Sequence, residues 1–356
     1  MPPRTLLAVA GPALALLAGS CSDTEASRSG ADPEPVLQAA ARGCDRYASP
    51  RGSDFNNGSR RFPFRSVPKL TRSLRAGEGG CLVRGVYRHR GVARLRAPGT
   101  TLRPLGRARV VVNGAIWVVG RARGARVVGL RLTSSDPVYS IPLKVQADDV
   151  TVARNTISGR RNTICVLVGS DRVAERTVIE ENRISNCGRR GKFDHLLYIS
   201  HTRDAVVRRN LLTRNPGGYA VHLYPDADGT LVEQNLMDAN LGGVVFAGDG
   251  NGHVSEGNEV RENVIVGAGP RWNVEGSWSG GPVGGGNVAH HNCVFSTGPS
   301  APSGLFPESG FAESDNLVLP GSPYLGVRAG EYTLRRTSPC WRLTGLSPGS
   351  APLAGG

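Results

Sequence analysis

Within residues 194–228 the chain collects Asp194, His195, Tyr198, His201, His222, Tyr224, Asp226 and Asp228. Imidazole and phenol groups can act as general base and acid on a bound substrate. Grouped carboxylates can hold a hard cation such as Ca2+ through oxygen, and a facing pair can hydrolyse a glycosidic bond, for which Asp194 with Asp226 is the pair available here. Arg208 and Arg214 stand close by and could neutralise an anion, with Lys192, Arg203 and Arg209 in adjoining turns and strands. Plainer roles compete. Tyr and His on an outward strand face often form a wetted surface, and Asp226-Ala-Asp228-Gly229 has the composition of an ordinary turn.

These residues come from separate stretches, so the fold must stack them. A recurring line supplies the stack: Asn155, Asn182, Asn210, Asn235, Asn263, Asn292 and Asn316, at intervals of 27, 28, 25, 28, 29 and 24 residues. An aliphatic residue stands three before and another two after each of the first five, as in Val152/Ile157, Ile179/Ile184, Val207/Leu212, Val232/Met237 and Val260/Ile265. Ala289/Val294 is weaker and Glu313/Val318 is half broken, while Leu130 marks an earlier rung without its Asn. Short β-branched runs at this period, separated by Gly, Asn and Asp turns, indicate a parallel solenoid. Composition agrees, with 48 Gly, 24 Pro and only 2 Met in 356 residues.

In the rung through Asn210, the pattern predicts a strand over 205–209, the Asn turn, a second strand over 211–213, a loop over 214–218 and a third strand over 219–224. The Asn side chain should point inward and bond the backbone of neighbouring rungs. Aligning third strands puts Ile199, Leu223 and Phe246 inside. Tyr198, His222 and Val245 share one outward column, with Ser200, Tyr224 and Ala247 in the next, and Leu167 and Gly169 precede them by one rung. Stacked positions lie about 4.8 Å apart, so this face is expected to be polar only across 194–201 and 219–228. Asp136 and Lys144, near Pro137 and Pro142, read as loop surface. The Gly-rich stretch 267–286 breaks the pattern and reads as a loop or irregular rung; its Trp272 and Trp278 fit either sugar stacking or hydrophobic anchoring.

Ahead of the ladder stand Tyr47-Ala-Ser-Pro-Arg-Gly-Ser-Asp54, Phe62-Pro-Phe64 and a short helix that Ser66 can cap, with Val67, Leu70 and Leu74 on one face and Gly77 placed to end it. Such a helix would cover the unpaired edge of the first rung. This opening, with the Asn ladder over roughly 45–320, resembles right-handed β-helix proteins of the pectate-lyase-like superfamily. The resemblance implies an all-β, single-stranded right-handed parallel β-helix with a short N-terminal capping helix, over residues 43–345, closed by a segment from Pro323 to Trp341.

Residues 1–21 read as an export signal, since the apolar run Leu6 to Leu17 is too short to span a bilayer and contains Pro12. Ala18-Gly-Ser-Cys21 resembles the lipobox of bacterial lipoproteins, which implies lipidation of Cys21 and an anchor in the outer face of a membrane. Residues 22–42 would then be a flexible tether, and 346–356 a disordered tail. The remaining six Cys form an even set, expected as disulfides Cys44–Cys81, Cys165–Cys187 and Cys293–Cys340 in an extracytoplasmic, monomeric protein. No CxxC or Cys/His cluster points to zinc. The net charge is +14, and all basic residues but Lys69, Lys144 and Lys192 are Arg. Nucleic acid is not an expected partner, because the chain reads as exported and its Arg are scattered.

The resemblance further implies that the third-strand face binds a polysaccharide. In such enzymes, β-elimination on a uronate polymer needs a cation at the carboxylate, a base for the C5 proton and an acid for the leaving oxygen. His222 would be the base, Tyr198 or Tyr224 the acid or assisting base, and Arg208 or Arg214 the neutraliser. Asp194, Asp226 and Asp228 would be the Ca2+ ligands, with His195, His201, Trp272 and Trp278 contacting sugar. The Trp-Ile-Asp-His and Arg-x-Pro-x-x-Arg runs of one pectate lyase family, the Tyr-Gly-Phe-Asp-Pro-His run of alginate epimerases and the Asp pairs of polygalacturonases are all missing, so no catalytic motif is carried over. The expectation is a lyase or epimerase on an acidic polysaccharide, with a non-catalytic glycan-binding or envelope module and a glycoside hydrolase as rivals.

Overall fold

In the computed structural model, the described residues are 43–159, 163–188, 194–276, 281–296, 303–326 and 331–346. Cys21, the tether, Lys192, Trp278 and nearly all of the tail lie outside them. The chain winds as a parallel coil in which most turns carry three short strands. The strands preceding the Asn turns stack into an eleven-stranded parallel sheet, the first face, running from Arg46–Ala48 to Ala312–Ser314. The strands after the Asn form a second face and the third strands a third face. These two merge into one 16-stranded sheet, because Val110–Val118, Leu211–Leu223 and Leu236–Phe246 turn the corner unbroken.

The alternation of side chains explains the core. Val127, Val152, Ile179, Val207, Val232, Val260 and Ala289 from the first face meet Leu132, Ile157, Ile184, Leu212, Met237, Ile265 and Val294 from the second, all buried. At the last coil the inward positions are taken by Glu313 and by Val318, which is exposed, and the apolar stack ends. Each fully buried aliphatic side chain contributes about 1.5–3 kcal/mol.

The Asn ladder carries the polar accounting. Asn182 Oδ1 accepts the backbone N–H of Asn155 at 2.9 Å and its Nδ2 at 3.1 Å. Asn182 Nδ2 in turn donates to the Val152 carbonyl at 2.8 Å and to Asn210 Oδ1 at 3.0 Å. The same links continue through Asn210, Asn235, Asn263 and Asn292 to Asn316, and at the rung without its own Asn the Leu130 N–H donates to Asn155 Oδ1. The residue before each ladder Asn has positive φ, between 52° and 56° from Arg154 to Asp315. That single left-handed step turns the chain, and the buried amide pairs the backbone groups the turn exposes.

The expectation of a loop over 214–218 is corrected, whereas in the Gly-rich stretch the irregular-rung alternative holds where it is described. Residues 214–218 belong to the continuous strand Leu211–Leu223, with a register irregularity between Asn215 and Tyr219. Asn215 makes the bend possible, because its Oδ1 accepts the Gly188 N–H at 2.5 Å and its Nδ2 donates to the Asp194 carbonyl at 2.8 Å. The Gly-rich stretch contains the strand Val274–Gly276, paired with Leu236–Phe246.

Both ends are covered. Helix Val67–Ser73 is capped by Ser66 Oγ, which accepts the Lys69 N–H at 3.2 Å. Its Val67 and Leu70, with Leu74, are buried in the main core. The C-terminal hairpin of Tyr324–Gly326 and Glu331–Leu334, followed by helix Cys340–Thr344, lies against the outside of the second face at Leu211, Leu236, Val264 and Cys293. The disulfides Cys44–Cys81, Cys165–Cys187 and Cys293–Cys340 all form, and the last ties this segment down.

Candidate functional site

The third face sets the columns. Leu197 and Ile199 point into the core while Tyr198 and Ser200 point out, and Leu167, Tyr198, His222 and Val245 occupy successive registered positions. Gly169 pairs with Ser200 as the alignment requires. The column is longer and more polar than the sequence indicated. Toward the N-terminus it continues through Lys144, Trp117 and Arg94, and toward the C-terminus through Glu275 and Phe306. Lys144 is thus a strand residue, in Leu143–Val145, and its aliphatic neighbours alternating like Val166 and Val168 were the signal for it.

His195, Tyr198, His222 and Tyr224 converge. The His195 and His222 ring centroids are 4.0 Å apart. Tyr198 stands edge-on to His222 at 5.0 Å, and Tyr224 stacks on it at 5.2 Å with planes 4° apart. Tyr219 lies nearly parallel to His222 at 5.9 Å. The Tyr219 N–H donates to His195 Nδ1 at 3.1 Å, so a neutral His195 carries its proton on Nε2. Both imidazoles are buried, at 1 % exposure each, while Tyr198 and Tyr224 are only partly buried and form the rim. Burial pushes the His195 pKa down to about 3. Burial and the adjoining His195 push His222 well below its ordinary value, so both rings are neutral at physiological pH. Burial, with Tyr224 beside it, pushes Tyr198 up to about 12 and keeps its hydroxyl protonated.

Beside this group lies a set that sequence reasoning missed. The buried Tyr219 hydroxyl donates to Glu275 Oε1 at 2.6 Å. Arg271 Nε donates to the same oxygen at 3.0 Å and to the Tyr219 hydroxyl at 2.8 Å, and Arg271 pairs with the other Glu275 oxygen. The Trp272 N–H also reaches Glu275 Oε1, at 3.3 Å, and the Trp272 ring stacks on Phe306 at 4.6 Å. One face of Trp272 therefore anchors the segment. At the other end of the column, Arg94 and Lys144 lie 5.3 and 5.2 Å from the Trp117 centroid, with Tyr139 edge-on to that ring at 5.8 Å. Lys144 Nζ bonds Asp171 at 2.7 Å.

The remaining nominated residues lie elsewhere. Arg208 is on the first face, bonded to Glu180 at 2.9 Å in a buried pair. Arg214, with φ of +58°, is exposed at the corner between the second and third faces, where its charge acts on Tyr332 of the C-terminal hairpin. Arg208 therefore belongs to a different face from the third-face column, and Arg214 stands at the corner on the side of the C-terminal hairpin. Asp226 and Asp228 are held by Arg203 at 3.1 and 3.2 Å. Asp194 precedes the strand Leu197–Arg203, whereas Asp226 sits beside Thr202 at its far end, a separation on the order of 20 Å along an extended chain. The three Asp do not form a Ca2+ site, and among the described residues no three His, Cys, Asp or Glu gather as metal ligands. The same separation removes Asp194 and Asp226 as a hydrolytic pair. His201 lies at the rim, its Nδ1 2.8 Å from Ser200 Oγ and its ring 6.1 Å from that of His253, which pairs with Asp249.

A family model described as "Right handed beta helix region" matches residues 116–300. Among solved structures, the chain is similar to pectate lyase Pel9A, at 12 % identity and a TM-score of 0.56, over 84 % of this chain and 91 % of that one. It is also similar to pectin methylesterase PemA from Erwinia chrysanthemi, at 11 % identity and a TM-score of 0.49, over 87 % and 99 %. At such identities the likeness is one of fold. No curated protein matches the sequence.

Proposed function

The chain belongs to the right-handed β-helix family, and from that premise we propose that its third face binds an acidic polysaccharide and acts on it by proton transfer, as a lyase or epimerase. The observation that carries this reading is the convergence of Tyr198 and Tyr224 over the neutral imidazoles of His222 and His195, with Tyr198 and His222 in one column with Lys144, Trp117 and Arg94. Tyr198, holding its proton, is the acid for a leaving glycosidic oxygen. Tyr224, at the solvent-facing rim and stacked on a neutral imidazole, would take the C5 proton as a phenolate, its own hydroxyl proton having first passed to solvent, so that the C5 proton restores the neutral phenol. His222 is a positioning residue in this scheme, since its burial denies it direct contact with substrate. Arg94 and the Trp117 edge would hold the uronate chain beyond the reacting unit. The scheme uses no metal ion. The pectate lyase similarity supports the substrate class, and the three disulfides fit an oxidising, extracytoplasmic compartment.

The test is incubation with a panel of uronate polymers, reading unsaturated product by absorbance and C5 exchange by deuterium incorporation. Product that disappears in Tyr198→Phe supports turnover. One observation favours a second reading, a non-catalytic glycan-binding module: both imidazoles are sealed beneath rings. Retention of a uronate polymer with neither product nor exchange selects that module, and no retention at all defeats both.

A further inference from the structure

Phe55 and Phe62 are the exposed Phe residues among those described, Phe55 at 103 % and Phe62, half-covered beside Arg61, at 50 % exposure. They do not belong to a frayed segment. Across their loop Ser49 N–H donates to the Phe64 carbonyl at 2.8 Å, Ser53 N–H to Pro63 at 3.2 Å and Gly58 N–H to Phe62 at 3.0 Å. Asn56 Nδ2 adds a bond to Pro63 at 2.9 Å. Gly58, at φ +78°, lies against the Phe64 ring, where a Cβ would come within 2.2 Å. Asp54 ties the base, accepting the Arg65 and Ser66 N–H groups at 2.9 Å each. Two exposed Phe rings on one braced loop mark it as a candidate interaction surface.

The charge around the rings states which partner fits it. Between residues 45 and 78 stand Arg46, Arg51, Arg60, Arg61, Arg65, Lys69, Arg72 and Arg75 against Asp45, Asp54 and Glu78; Glu78 pairs with Arg46 and the Asp54 carboxylate is engaged by backbone, which leaves a basic surplus on the loop. Arg51, Arg60, Arg61 and Arg65 are exposed on the loop. Apolar rings on a loop rich in exposed Arg, with Arg61 lying 5.4 Å from the Phe62 centroid, match the boundary between acyl chains and anionic headgroups. The loop stands where the chain enters the coil, next to Cys44 and the edge strand Arg46–Ala48. From the rung of Arg94 to that of Tyr198 are four column steps, about 19 Å, so contact here leaves the Tyr198–Tyr224 group open. We infer that the loop 49–64 is a membrane-docking surface, inserting Phe55 and Phe62 into an anionic lipid surface while Arg51, Arg60, Arg61 and Arg65 pair with headgroups.

The test uses the full chain with Cys21→Ser, so that no acyl chain contributes, and co-sedimentation with phosphatidylglycerol–phosphatidylcholine or pure phosphatidylcholine vesicles. The expected result is binding to the anionic vesicles alone, weakened in about 0.5 M salt. Phe55→Ser with Phe62→Ser, or Arg60→Ala with Arg61→Ala, should each lower it about tenfold or more at unchanged Tm. The inference is overturned by failure to bind anionic vesicles, by equal binding to neutral ones, by indifference to both double variants, or by loss of uronate-polymer retention instead of vesicle binding in the Phe variant.

Discussion

The rings of His195 and His222, 27 positions apart in the chain, lie with centroids 4.0 Å apart in a site that excludes solvent from both. Two imidazoles so placed stay neutral. Burial lowers both below the ordinary 6.5, His195 to about 3. In the unfolded chain each would take a proton near 6.5, so the unfolded state binds more protons between that value and the folded one. Stability is full above pH 6.5 and falls as the pH drops, by up to roughly 1.4 kcal/mol per pH unit for each ring. Urea unfolding at pH 7.5, 6.0 and 5.0 should show the loss, and His222→Gln should flatten it. A wild-type profile that rises toward pH 5 would contradict the buried pair.

Asp238 should behave in the opposite sense. Burial raises its carboxyl to about 6, in contact with Tyr332 of the C-terminal hairpin. The folded state then holds the proton more tightly, and the stability it brings is present below 3.8 and lost as pH rises through 6. Asp238→Asn should stabilise the protein by about 1–2 kcal/mol more at pH 8 than at pH 4.5. Calorimetry at the two pH values decides the matter.

Removing one ladder amide should be costly in the middle and cheap at the end. Asn182→Ala strands the Asn155 N–H and the Val152 carbonyl, a loss of about 2–4 kcal/mol for a buried group with several partners. Asn316, partly exposed in the last coil, should cost about 1 kcal/mol or less. Equal costs at the two sites would mean that the ladder is not what holds the turns in register.

On the third face, Tyr198→Phe and Tyr224→Phe should lower turnover about 10²–10⁴-fold each while leaving polymer retention within about threefold. If either substitution instead abolishes retention and leaves the residual rate intact, the hydroxyl is a binding group.

The Trp117 end of the column can be separated from the Tyr pair. Arg94→Ala should weaken retention of a uronate polymer about tenfold at low salt and little at high salt, with no effect on a neutral polymer. Trp117→Ala should weaken both. Affinity electrophoresis with charged and uncharged polysaccharides reads the difference.

The repeating features were legible in the sequence because each is local and occurs once per turn: the aliphatic positions around the Asn, the inward amide, and the outward register of Leu167, Tyr198, His222 and Val245. Stacking at a fixed spacing then places residues of distant sequence side by side without further information. What the sequence left open was decided by contacts that do not repeat. Arg208 faces Glu180 on another side of the coil, and Arg214 turns toward the hairpin of Tyr332. Arg271 and Glu275 close over Tyr219 from a stretch whose glycines hid a strand, and the rings around His222 seal a residue that alternation alone places outside. Periodicity states which way a side chain points; only the tertiary structure states what comes to lie on top of it, since covering segments are joined to the coil by packing and charge rather than by the period.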